Sequence, residues 1–322
     1  MHKFLKNNME KTEELLLQKT RSIPAVIRDG YRLYTGNFKR LFRASWIVAL
    51  IYALCFAMMM STLINDMLGI IVLTTSYGLQ TMTDTEFTTE FVKTGVSVLL
   101  FTAAMLALAS YAFGACAEHR QSGQINRAAH WWGTFHLKPF LRLLIVSLWL
   151  TLIMLVVEAA FAAIIYGVVH AGIVDSLWKS LATIALLIIL VCVAGAFLLP
   201  LAYPAVRYVV SGTPSWKMPF KGYGVGLRHW SLLFVTMLVS SIVTGLLTFI
   251  CELPAFVIGT ANAKAYAGSA MGDPLGLPEN MALMAFLAFF IAGFVQAYVH
   301  LYSIFPLYYA YGSIEQQEQE LL

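Results

Sequence analysis

The sequence predicts an all-α, polytopic membrane protein. Six transmembrane helices form three parallel-topology helical hairpin repeats, each led in by a cytoplasmic amphipathic helix. Three observations carry the prediction. The 322 residues are 59% hydrophobic but only 12% charged, about half the roughly 25% charged residues of a soluble domain. The apolar residues gather in six runs, about 45–65, 95–117, 141–168, 180–206, 231–258 and 281–311, each long enough to cross a bilayer as a helix of about 20 residues. Short phrases recur before the odd-numbered runs and after the even-numbered ones. Stretches such as IVALIYALCFAMMM are continuously apolar, so helices and not alternating barrel strands satisfy the backbone in lipid.

The elements follow in order. Residues 1–21 (MHKFLKNNMEKTEELLLQKTR) are a polar, partly helical cytoplasmic arm, either solvated or bound to a partner. No apolar stretch there precedes a small-residue cleavage site, so no signal peptide is expected and run one acts as the first insertion signal. Ser22 and Pro24 mark a helix start. Ile27, Tyr31, Tyr34 and Phe38 then recur at spacings of four, three and four, with Arg28, Asp29 and Arg32 off that face. The pattern predicts an amphipathic helix lying in the interface. Phe220, Tyr223, Leu227 and Trp230 repeat it after Pro219. In run two, Ala103, Ala107, Ser110 and Gly114 form a small-residue stripe that lets helices approach. His130 and His136 flank a Trp-Trp-Gly turn at headgroup level. The four cysteines, Cys55, Cys116, Cys192 and Cys251, form no CxxC pair and read as small buried hydrophobes. EQQEQELL ends the chain as a short acidic tail.

Gly30–Phe38 reads GYRLYTGNF and Gly222–Trp230 reads GYGVGLRHW. Aligned on Phe38, Phe140 and Trp230, the chain continues KRLF, LRLL and SLLF. The even runs end LASYAFG, PLAYPAV and PLYYAYG, with Tyr111, Tyr203 and Tyr309 at the same place. The expected domains are 1–21, a six-helix unit over 22–312 with repeats at about 22–117, 124–206 and 214–312, and a tail over 313–322. Copies that begin and end on one side share an axis along the membrane normal.

Eighteen of the 21 Lys and Arg residues fall on one side; only Lys93, Lys179 and Lys264 fall on the other. The positive-inside rule places both termini in the cytoplasm of a multi-pass protein of the cytoplasmic (inner) membrane. The net charge of +4 faces anionic lipid headgroups, with no need for nucleic acid. Candidate headgroup contacts are Arg28, Tyr31, Arg32, Tyr34, Lys39, Arg40, Lys221, Tyr223, Arg228 and Trp230. Candidate intramembrane polar residues are Glu158, Glu252, Gln296 and His300. Glu158 could be an ion or proton site, face an outer cavity, or make a structural hydrogen bond. Glu158 and His300 fall in opposite leaflets, roughly 10–20 Å apart along the normal by helical rise, too far for an acid/base pair. No HExxH, GxSxG or phosphate-loop motif is present, so no catalytic residue, metal or cofactor is expected.

The six apolar helices, the GY-x6-aromatic lead-ins and the Pro/Tyr endings resemble a broad group of six-helix bacterial inner-membrane proteins. The YciC-like proteins belong to it, as does the membrane domain fused to some glycerophosphodiester phosphodiesterases. The resemblance covers about residues 22–312 and implies a fold more than an activity; the phosphodiesterase catalytic domain has no counterpart here. The expected role is non-catalytic interaction with membrane lipids or another membrane protein. The alternatives are a small transporter or channel between the hairpins and, third, an intramembrane enzyme resting on Glu158 and His300.

Overall fold

Apolar runs with no outside partner for their backbone close their hydrogen bonds internally, and every regular element described is helical. The structure is a computed structural model and describes residues 17–64, 84–123, 125, 137–170, 177–211 and 220–321. The helices are α1 (Ile23–Ser61), α2 (Asp84–Ser122), α3 (Leu137–His170), α4 (Leu177–Leu198), α5 (Ala202–Ser211), α6 (Tyr223–Arg228), α7 (Trp230–Ala270) and α8 (Met281–Glu320), with a 3₁₀ turn at Leu199–Leu201 between α4 and α5. Six stretches have the length and apolar character to cross a membrane: Ile23–Ile64, Phe91–Ser122, Leu137–Ile164, Ile188–Val210, Trp230–Ala265 and Met281–Glu320. They coincide with the six apolar runs.

α1, α2, α7 and α8 each hold 39 to 41 residues. At about 1.5 Å per residue they approach 60 Å, twice the roughly 30 Å of a hydrocarbon core. Where residues 17–22 meet the last turns of α8 is the basal end; the opposite end is distal.

α8 is the central element and packs on α1, α7, α2 and α5. α1 also packs on α2, while α3 and α4 barely touch one another. The most apolar window of α3 is 11% buried against 39% for α1, α2 and α8, so α3 lies on the perimeter. At the basal end α2, α5 and α8 touch pairwise, and Tyr111, Tyr203 and Tyr309 are all buried there.

The first lead-in departs from the expected interfacial helix. It is the basal half of α1, continuous with the membrane-crossing half. Its buried stripe, Val26, Asp29, Gly30, Leu33 and Tyr34, packs on α8 and holds the two halves in line. A Cβ at Gly30 would lie 2.6 Å from the Pro306 nitrogen, so the backbones meet closely there. The third lead-in does bend. Gly222 takes φ 104°, α6 runs for six residues, and His229 leaves the helix before α7 begins. The second lead-in, with His130 and His136, lies outside the described residues.

The boundary expected at 312 is also no break: α8 continues through it to Glu320. Between α4 and α5, Pro200 has no N–H to give the Ala196 carbonyl. The Trp230 indole donates to that carbonyl at 3.2 Å, and the Tyr223 hydroxyl donates to the Phe197 carbonyl at 2.9 Å. Gly226 lies against the Pro200 carbonyl, with no room for a Cβ.

Candidate functional site

The densest polar cluster is basal. The Arg21 Nε donates to Asp29 Oδ2 at 2.9 Å, and the two side chains are 2% and 6% exposed. Arg21 also donates to the carbonyls of Leu17 and Lys19 and stacks over the Tyr309 ring at 4.6 Å. Its backbone N–H donates to Ser313 Oγ at 2.9 Å, and Leu17 closes on Gly312. Beside this pair, His119 Nδ1 shares a 3.1 Å hydrogen bond with the Tyr308 hydroxyl. The end of α8 extends the cluster: Glu315 accepts from Tyr203 at 2.7 Å and pairs with Arg207, while Glu318 pairs with Arg228 and His229. Sequence reasoning put Asp29 on the solvent side and Arg21 in a polar arm. A buried ion pair requires each to face the other across the start of α1, and only the partnership explains both.

Of the candidate headgroup residues, Arg28, Arg32, Lys39, Arg40 and Lys221 are exposed, as is Tyr31 at 56%. Arg40 donates to the Ile125 carbonyl at 2.7 Å. Tyr34 is a correction: it is buried and its hydroxyl donates to the Tyr298 carbonyl at 2.7 Å, because α1 is straight and turns this side toward α8. Tyr223 and Trp230 spend their polar atoms on α4, and Arg228 spends its guanidinium on Glu318.

The four intramembrane candidates separate. Glu158 is exposed on the perimeter helix α3. Gln296 is buried on α8, and the Tyr52 hydroxyl of α1 donates to its Oε1 at 3.5 Å. Glu252 of α7 lies within electrostatic range of the same tyrosine. The α7–α8 register is set by Gly259 against the Phe289 ring, and Arg228 at the end of α6, two residues before α7, pairs with Glu318 in keeping with it. Seven residues basal of the Gly259 contact, Glu252 comes level with Gln296; four further, Thr248 comes level with His300. Glu252 and Gln296 thus lie at one level of the bundle, with Tyr52 donating to Gln296 and in electrostatic range of Glu252; His300 lies about a turn away along α8, and Glu158 lies on α3. Glu158 and His300 are therefore not brought together for catalysis. No group of three His, Cys, Asp or Glu with metal-site geometry occurs among the described residues.

A cavity of about 580 Å³ lies between α1 and α2 toward the distal end, within the roughly 300–1,000 Å³ of ligand pockets. Met58, Val92, Val96 and Leu100 make apolar walls, with Thr62, Lys93 and Ser97 among the lining. The hydroxyls of Thr62 and Ser97 lie 3.1 Å apart across the two helices. Met58, Val92, Val96 and Leu100 are each more than 40% exposed, so the cavity opens sideways toward the bilayer.

No family model, curated protein or solved structure matches the chain.

Proposed function

We propose that the protein is a non-catalytic, lipid-interacting protein of the cytoplasmic membrane, with its basal end in the cytoplasm. The observation that carries this reading is the sideways-opening cavity between α1 and α2. Its walls suit an acyl chain, and Lys93 with the Thr62 and Ser97 hydroxyls supplies a polar end of the sign that an anionic headgroup needs. The basal end adds the exposed Arg28, Arg32, Lys39 and Lys221, at the level where cytoplasmic basic residues meet anionic lipid.

The three-repeat arrangement belongs to this reading. It is supported by a shared contact: Gly30 of the first lead-in lies on Pro306, and Gly226 of the third lies on Pro200. Both lead-ins among the described residues pack on the Pro/Tyr ending of another repeat, in keeping with a ring of three units. The pairwise contacts of α2, α5 and α8 are in keeping with an axis running between them.

Native mass spectrometry of the full chain, extracted gently from its own membrane, tests the proposal. A lipid should be retained at fixed stoichiometry and lost in Ser97→Trp, which fills the cavity. Retention unchanged by Ser97→Trp and by joint substitution of Arg28 and Arg32 would overturn it. A reporter at the N terminus that reads out as external would overturn the orientation. A second reading, transport between the helices, is supported by the polar inner face of α7.

A further inference from the structure

α7 is built inside out. Its exposed surface is apolar, with Ile242, Leu246, Phe249, Ile250 and Phe256 each more than half exposed. The side turned into the bundle carries Thr236, Ser240, Thr244, Thr248 and Glu252, one residue in every four. Thr236, Ser240 and Thr244 are buried. Only Thr244 satisfies its hydroxyl within the helix, donating to the Ser240 carbonyl at 2.8 Å. The side-chain oxygens of Thr236, Ser240 and Thr248, and one oxygen of Glu252, are buried without a hydrogen-bond partner. Leaving one such group unmet costs about 1–3 kcal/mol, and four on one ridge of one helix call for a common partner.

Water is the partner that fits. Each site offers a donor or acceptor, successive sites lie about 6 Å apart by helical rise, and the ridge spans about 24 Å, most of a roughly 30 Å hydrocarbon core. The ridge ends at Glu252, level with Gln296 and in range of Tyr52. Beyond it the seam closes on Ala255, Gly259, Phe289 and Ile64. The other titratable groups on the neighbouring segments are Tyr52 and Cys55 of α1, Tyr298, His300, Tyr302, Tyr308, Tyr309 and Tyr311 of α8, and Cys251 on α7 itself. No Lys or Arg lies in 44–61, 230–263 or 281–314, so a proton is the counter-ion within reach.

We propose that the α7 ridge holds a file of water and that Glu252, at its distal end, is a reversible proton-binding site supplied through that file. The site goes beyond the lipid reading and does not depend on it.

The test is carbodiimide labelling of the full-length protein in nanodiscs, read by peptide mapping. The reagent attacks only a protonated carboxyl and enters from the hydrocarbon. Labelling of Glu252 should fall about tenfold per pH unit once the pH passes the midpoint of the site, and should vanish in Glu252→Gln. In the triple variant Ser240→Ala, Thr244→Val, Thr248→Val, labelling after a pH jump should lag the parent. Glu158, exposed on α3, should respond identically in both and reports that the fold is intact. Labelling of Glu252 independent of pH, or dependent on sodium and not on pH, overturns the proton assignment. A triple variant that follows the jump as fast as the parent overturns the water file and leaves the ridge a packing device.

Discussion

Asp29→Asn tests the basal ion pair most directly. The substitution keeps the shape of the side chain and removes its charge. Arg21, 2% exposed, then keeps the Leu17 and Lys19 carbonyls and the Tyr309 ring but loses the Asp29 carboxylate at hydrogen-bond distance. Breaking a buried pair by removing one member costs about 3–5 kcal/mol. The remaining acceptors place this case near the lower end, about 3 kcal/mol. Global unfolding is not the cheapest response. Residues 17–22 can lift away and return Arg21 to water, a local opening. At about 1.4 kcal/mol per factor of ten, the opened population rises roughly a hundredfold. Limited trypsinolysis after Arg21 reads that population when reclosing outpaces cleavage. The parent should be protected, Asp29→Asn cut about a hundred times faster, and Asp29→Glu intermediate. Cleavage of Asp29→Asn within about threefold of the parent would refute the argument, because a buried guanidinium without its partner cannot be that stable.

Gly30→Ala should destabilise by about 1–3 kcal/mol through overpacking, since the obstructing atoms are Pro306 backbone; Gly36→Ala, with open space around it, should be neutral or gain up to about 1 kcal/mol in helix propensity. Thermal unfolding of the two in one detergent checks the contrast. Trp230→Phe keeps the stack on Phe234 but removes the donor to the Ala196 carbonyl, and should cost about 1 kcal/mol in the same assay. Tyr203→Phe removes a 2.7 Å bond to Glu315 and should cost about 1.5 kcal/mol, a value at the low end for a charged acceptor because the site is only partly buried.

The six crossings were legible because hydropathy alone decides them. The close packing at Pro200 and Pro306 left a trace in the sequence as recurring Gly and Pro phrases, although what those residues touch was not readable. Whether a lead-in lies flat or runs straight depends on a neighbour 264 residues away: Tyr34 has the spacing of an interfacial residue, and only the approach of Tyr298 draws it inside. Glu252 and Gln296 were visible as costly residues in apolar runs, but their convergence depends on the α7–α8 register. The hydroxyl ridge of α7 could have been found. Its four-residue spacing is written in the sequence, yet Ser and Thr are cheap in membrane helices and give a weak signal beside a carboxylate. Arg21 and Asp29 look like ordinary solvated charges until the fold brings α8 beside them.

α8 follows the other seven helices in the chain, yet α1, α2, α5 and α7 all pack on it. Synthesis therefore delivers the keystone after every helix it holds. While the ribosome is still making the distal loops, α1 sits in the membrane with the Tyr34 hydroxyl lacking its Tyr298 acceptor and the Arg21–Asp29 pair lacking its Tyr309 lid. The earlier helices must wait, inserted but unassembled, and chaperones and proteases can inspect them during that interval. A nascent chain halted before Met281 leaves the α8-facing stripe of its first helix uncovered, so the arrival of α8 is itself the step that lets the bundle close.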